Sequence, residues 1–478
     1  MNKSNKLIYG ILLSAFFFFI SPSLYSSPNG KIPTSPAKTK VTKTIALEGG
    51  DYSSIDEAMS DIAEFGIADT LVLQLLDNSY SIFSFNINPA GPNRGTLIFE
   101  SGSSDTINIE FESPGKSSSN NTLGGANGLY VYSDFLRSLK FIRVKLVASQ
   151  FMSTLTSVVM EGAKVDFSLS GLQATGTEFN SPAGLDVYSL SDSCSFSFDN
   201  CTFTDVGSAG YTYGEYPYEL TMTNCNFSFS YAGMWCENVG GNSFFENNIF
   251  RGDGIEGNGL TVYSSNSSVL GISDNEFDIT SSGAIYVGFS SASPAKNLSG
   301  SHISSAKSSR EKFRDNISQR KQQMKESRIS RKQHSSTERT ERVTALLTQP
   351  RTKHNLTRHP NAKELPTLNI SNNTILNSGT DGIYVEYVEN GDVVINGNSI
   401  QGNSFTGNGI YLPYFSGFGD NAPTVSVENN TISGFGNGMY TDGSEYAGDV
   451  SFSKNTIHGY GSIALELNDW TAFSMQVD

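Results

Sequence analysis

The sequence predicts an all-β chain wound as a parallel coil, and three observations point there. Apolar and polar residues alternate with a period of two, the mark of half-buried strands. The alternation recurs in one frame, apolar–x–apolar–x–x–Asn–x–apolar, in "SFFENNIF", "LGISDNEF", "LNISNNTI", "VVINGNSI", "VSVENNTI" and "VSFSKNTI". A second frame, Gly–apolar–x–apolar, appears as "GLYV", "GMWC", "GLTV", "GIYV" and "GIYL". The shared Asn falls at Asn248, Asn275, Asn373, Asn398, Asn430 and Asn455, and most repeats are 23 to 27 residues long. Such a period holds three short strands and has no room for a helix. It therefore reads as stacked turns, each about 4.8 Å from the next.

The elements follow in chain order. Residues 1–26 read as a secretory signal peptide: Lys3 and Lys6 precede the apolar run "LIYGILLSAFFFFI", and the small residues of "SPSLYSS" follow. No later stretch is apolar for long enough to span a membrane, so an exported protein of the extracellular space or cell envelope is expected. Residues 27–45 are Pro- and Lys-rich and read as a linker. In 46–90, "SSIDEAMSDIAEFG" reads as an amphipathic helix capped by Ser53 or Ser54, with Ile55, Met59 and Ile62 on one face, and "TLVLQLL" as a first strand. Coil turns are expected over 91–300 and 367–478. In the earlier turns Val144, Ser170, Cys201 and Cys225 stand where later turns carry Asn. Asn is suited to a tight bend because it tolerates a left-handed backbone, and its amide can bond the same Asn one turn above and below.

The tract 301–366 departs from this frame. It has no Gly, Tyr or Trp, holds four of the five His, and carries a balance of +10. It reads as a basic insertion for an acidic partner, as a loop with some helix, or as a shifted reading frame. Ser301 fits the Asn position, and three turns' worth of residues separate it from Asn373, which favours the shifted frame. The final "LELNDWTAFSMQVD" stops as a new turn begins, with Phe473, Met475 and Val477 alternating, so a truncated coding sequence is expected.

The net charge is −15, and without the tract the balance is −25. Outside the tract, so acidic a chain lacks the cations that phosphate contact needs, and no nucleic-acid partner is expected. Cys194, Cys201, Cys225 and Cys236 all have inward parity. Cys201 and Cys225 share a column in neighbouring turns, as stacked core thiols or as a disulfide suited to export. With no CxxC pair and only five His, neither a metal site nor a cofactor is expected.

From about residue 90 to the end, the repeat resembles right-handed parallel β-helix proteins of the pectin-lyase-like superfamily. The resemblance implies that the N-terminal helix plugs the open end of the coil, and it brings polysaccharide lyases and hydrolases into view. A lyase needs cations to neutralise a uronate. After Lys164, outside the tract, only Arg251, Lys296 and Lys454 are basic. Arg137 and, in "LKFIRVKL", Lys140, Arg143 and Lys145 are interspersed with apolar residues and read as a solvated strand face. "TDGIYVE" resembles the Asn-Thr-Asp-Gly motif of polygalacturonases, which singles out Asp381. The paired Asp-Asp and Gly-His-Gly motifs of that family are absent, and "IHGYG" around His458 occupies another part of the turn. "FFENN" and "GAIYV" resemble the repeats of polymorphic outer-membrane proteins, which implies an autotransporter-like passenger or adhesin.

Parity offers one further site. The third residue of the Gly frame faces outward, giving Tyr130, Trp235, Thr261, Tyr286, Tyr384, Tyr411 and Tyr440. Two residues on stand Glu237, Tyr263, Gly288, Glu386, Pro413, Asp442 and Glu466. Aromatic rings beside carboxylates suit a polysaccharide or a cell-surface component, because ring faces stack on sugar CH groups and acids accept from hydroxyls. Tyr is also simply at home on an exposed strand. Binding therefore falls to Trp235, Tyr286, Tyr384, Tyr411 and Tyr440. Any catalysis would fall to Asp381, Glu386, Asp442 or Glu466, which makes a polysaccharide hydrolase or lyase the alternative to a binding protein.

Overall fold

The structure is a computed structural model. It describes residues 39–67, 69–83, 85–89, 94–112, 126–148, 152–160, 166–176, 182–190, 193–255, 257–289, 367–386, 388, 391–403, 405–413, 423–442, 447–468 and 472–477. Apart from α1 (Ile55–Phe65) and one short 3-10 turn at Ser133–Phe135, every regular element among them is a β-strand, and every strand pairing is parallel. The chain advances one strand-spacing per turn. Thr367–Ser371 pairs with Asp392–Asn396, which pairs with Thr424–Glu428, while Thr374–Ser378 and Ile383–Glu386 do the same on the other two sides. The protein is a right-handed parallel β-helix, all-β but for its N-terminal helix.

Alternation drives this winding. In Asp392–Asn396, Val393 and Ile395 are buried and the residues between them are not, and each neighbouring turn repeats the pattern in register. Like side chains therefore pile into files. Phe203, Phe227, Phe250 and Phe277 stack at centroid distances of 5.3, 5.3 and 5.0 Å, and Ile375, Ile400 and Ile432 continue the file. Each such buried ring contributes roughly 1.5–3 kcal/mol. The Oγ of Ser54 caps α1 by accepting from the Glu57 amide at 3.1 Å, while Ser53 donates its amide and hydroxyl to the Glu57 carboxylate. The helix buries Ile55, Ala58, Met59 and Ile62 and packs on strands Ser79–Ile82 and Phe85–Ile87.

Several details differ from the sequence expectation. β1 (Lys40–Ile45) forms a full parallel pair with β2 (Thr70–Leu75), so the coil starts inside the stretch 27–45 that reads as linker. In the middle turns the strands run on through the corners, giving Thr202–Thr223 of 22 residues and Asn226–Glu246 of 21. There the chain bends at left-handed Asp205 and Asn238 and through register shifts, without losing its pairing to the next turn.

The asparagine bends also work differently. The left-handed residue is the one before the shared Asn: Asn247, Asp274, Asn372, Gly397, Asn429 and Lys454 all have φ between 53° and 69°. That kink aims the following Asn inward. Leu172, and not Ser170, holds the equivalent position in its turn, where its carbonyl receives the amide of Thr202 just as that of Cys201 receives the amide of Asn226. Ser301 and the whole tract 301–366 lie outside the described residues, as do residues 1–38. The ladder passes from Asn275 directly to Asn373.

Candidate functional site

The third strand of each turn carries two outward files, and register fixes their members. The first runs Tyr130, Ser157, Asp186, Tyr211, Trp235, Thr261, Tyr286, Tyr384, Tyr411, Tyr440, Glu466. Two residues on, the second includes Tyr132, Val159, Tyr188, Tyr213, Glu237, Tyr263, Gly288 and Glu386, and later Asp442 and Asn468. Neither file contains a Lys or Arg.

The rings form one connected run. Trp235 meets Tyr263 at 5.4 Å, and Tyr263 meets Tyr286 at 5.5 Å. Tyr286 meets Tyr384 at 4.9 Å, Tyr384 meets Tyr411 at 4.8 Å, and Tyr411 meets Tyr440 at 5.4 Å. Tyr263 bridges from the second file because its neighbour there is Gly288, where a Cβ would sit 2.9 Å from the Tyr263 ring. Only the Tyr384–Tyr411 pair is stacked, at 10°. The others are tilted or edge-on, so the strip offers edges and phenol tips as well as ring faces. Tyr286 is buried at 8% exposure, whereas Trp235, Tyr384, Tyr411 and Tyr440 are half-buried.

The carboxylates are distributed unevenly. Glu237 is 6% exposed and accepts the indole N–H of Trp235 at 2.8 Å, which fixes the indole's orientation. Glu386 is half-buried, and burial raises its pKa above the ordinary value. Glu466 pairs with Tyr440, which moves it out of the second file and into the first, and Asn468 takes the place expected for it. The reason is local: Ala464 replaces Gly in the frame and shifts the count by two. The side chain of Asp442 lies outside the described residues. Asp381 is not on the strip at all. At a corner, its Oδ1 accepts from the backbone N and Nδ2 of Asn408 at 2.8 and 2.9 Å, and the Oδ1 of Asn408 accepts from Asn437 at 3.0 Å. Its carboxylate thus braces one turn to the next. Glu386 and Asp442 are two turns apart, roughly 10 Å along the coil.

Parity reading missed Asp186, Tyr188, Tyr211 and Tyr213. "GLDV" at Gly184 carries the signal for Asp186 and Tyr188, whereas register pairs Gly210 with Leu185 and Met234, the apolar position, so "GYTY" counted from Gly210 points buried Thr212 outward and hides Tyr211 and Tyr213. Arg137, Lys140, Arg143 and Lys145 do not converge: Arg143 sits at a left-handed corner with its guanidinium on the Ser101 carbonyl, between the strands that carry the others.

Inside the coil the six asparagines form an unbroken ladder. Each Nδ2 donates to the Oδ1 of the next Asn at 2.9–3.0 Å, from Asn248 through Asn275, Asn373, Asn398 and Asn430 to Asn455. Each also donates to a main-chain carbonyl at 2.7–2.9 Å. Cys225 heads the ladder by donating its amide to Asn248 Oδ1 at 2.9 Å. All four cysteines are buried free thiols, so no Cys201–Cys225 disulfide is present. The thiols of Cys201 and Cys225 face main-chain carbonyls at 3.3–3.8 Å.

Residues 366–476 match the family described as "Right handed beta helix region". No curated protein and no solved structure matches the chain. Together with the winding seen from Lys40 onward, the match defines a right-handed parallel β-helix repeat protein. Among the described residues no helix is long and apolar enough to cross a membrane.

Proposed function

We propose that this is an exported β-helix protein, working outside the cell or in the cell envelope, whose third-strand face binds a carbohydrate or another cell-surface component. The observation that carries this reading is the ring-to-ring run from Trp235 to Tyr440 with carboxylates set into it and no cation in either file. An extended polymer laid along the coil axis would meet the same pair of files at every turn, about 4.8 Å apart. Ring faces and edges would take its CH surfaces, and carboxylates and phenols its hydroxyls.

A glycan array with the wild type and a Tyr384→Ala, Tyr411→Ala double variant tests it. Glycan binding by the wild type that the double variant loses is the expected result. Equal signals from both proteins, or none from either, count against the strip. One observation favours a second reading as a polysaccharide hydrolase: burial keeps the Glu386 carboxyl protonated to higher pH, as a general acid requires. Oligosaccharide release that stops in Glu386→Gln would select that reading.

A further inference from the structure

One stretch of the strip has a chemistry of its own. Register sets Tyr211 beside Trp235 and Tyr213 beside Glu237. One turn on, Thr261 follows Trp235 and Tyr263 follows Glu237. Glu237 therefore lies in file between two tyrosines, next to the indole whose N–H it accepts, with Tyr211 on the diagonal. Tyr211 and Tyr213 stack at 6.4 Å and 7°, and Trp235 and Tyr263 tilt together at 5.4 Å and 40°. Register thus makes four electron-rich rings the neighbours of one nearly buried carboxylate. Thr261 is small and buried, so it adds no bulk over the indole.

Such a group suits one ligand class. Ring faces carry negative potential and attract a cation within about 6 Å of their centroids, most strongly over Trp and Tyr. The neighbouring carboxylate, 6% exposed, adds charge attraction in a place that water screens poorly. A neutral hydroxyl gains neither effect, and an anion is repelled by both.

We infer that Tyr211, Tyr213, Trp235, Glu237 and Tyr263 form a site for an alkylammonium group, so that the polymer bound by the strip is one carrying free amino groups, such as a glycan of de-N-acetylated amino sugars. The polymer part of this rests on the strip being a glycan-binding surface; the cation site does not.

Trp235 is one of only two tryptophans, which makes the site observable. In a Trp470→Phe background, fluorescence reports Trp235 alone. Tetramethylammonium chloride is expected to change it saturably where sodium chloride at equal ionic strength does not, and Glu237→Gln, with unchanged circular dichroism, is expected to lose the response. A tetramethylammonium titration that tracks the sodium control overturns the site. Calorimetry with glucosamine oligosaccharides and their N-acetylated forms addresses the polymer. The free-amine form is expected to bind from about twofold to about thirtyfold more tightly, the range that cation–π contacts span. Equal affinity for both forms overturns the inference and leaves the glycan strip standing. A saturable ammonium response with no oligosaccharide bound removes the glycan reading and leaves the cation site.

Discussion

Asn373→Ala removes a middle member of the ladder, and the structure sets the size of the effect. The Oδ1 of Asn373 accepts from the amide and Nδ2 of Asn275 at 3.1 and 3.0 Å. Its Nδ2 donates to the Ile272 carbonyl at 2.9 Å and to Asn398 Oδ1 at 3.0 Å. Alanine removes all four bonds and leaves the Asn275 amide in a core that water does not reach. At about 1 kcal/mol net per bond, the loss is about 4 kcal/mol. Asn455→Ala is the internal control. It loses two accepted bonds from Asn430 and one donated to Val427, but Asn455 is half-exposed and water replaces part of what is lost. About 1–2 kcal/mol is expected there. Urea unfolding of the two variants at a common slope measures both values. Because stacked turns contact only their neighbours, hydrogen exchange around residues 367–400 should report the same difference locally. If Asn373→Ala costs less than about 1 kcal/mol, or no more than Asn455→Ala, the ladder is not what holds these turns together.

Three further outcomes follow from other parts of the coil. The Glu386 carboxyl is raised above its ordinary 4.5 by burial, so folding favours its protonated form. Below pH 4.5 this makes no difference, whereas above the raised value the charged group opposes folding. Glu386→Gln should therefore match the wild type in stability at pH 4 and exceed it at pH 7, and a variant less stable at pH 7 would contradict the assignment. The cysteines are buried, the Cys236 thiol being pushed up to about 12 by burial and the Cys225 thiol also raised, first by its hydrogen bond with Cys201 and then by burial. Alkylation at pH 8 should label none in the native protein and four after unfolding without reductant, whereas two would reveal a bridge. Gly288→Val places a side chain where Tyr263 now lies and should cost about 1–2 kcal/mol through the two ring contacts of Tyr263; unchanged stability would show that these contacts contribute little.

What could be read from the sequence was whatever repeats at period two. Val393 and Ile395 announce an inward pair, and a one-residue slip would put both in water, so the strand phase leaves little freedom. The spacing of the shared Asn then sets the stacking. Features that depend on one turn's departure from the frame were harder to read. Ala464 in place of Gly hid the true partner of Tyr440, and Asp205 and Asn238 turn corners without ending a strand. Lys40–Ile45 looks like linker because only one of its residues is fully buried, the rest lying at the first edge of the coil. On the strip, parity named Tyr384 and Tyr411. Only register showed that Asp381 braces a corner and that Tyr211 and Tyr213 extend the aromatic run.

Winding in register is the claim beneath all of this, and it is tested most directly where the chain separation is greatest. Glu276 and Thr374 flank a ladder pair 98 residues apart in sequence, yet they are register partners in adjacent turns. Cysteines placed at both positions should join under mild oxidation and appear as one cross-linked peptide by mass spectrometry, while cysteines at Glu276 and Ser399, two turns apart, should not. A bridge in the second pair but not the first would contradict the stacking.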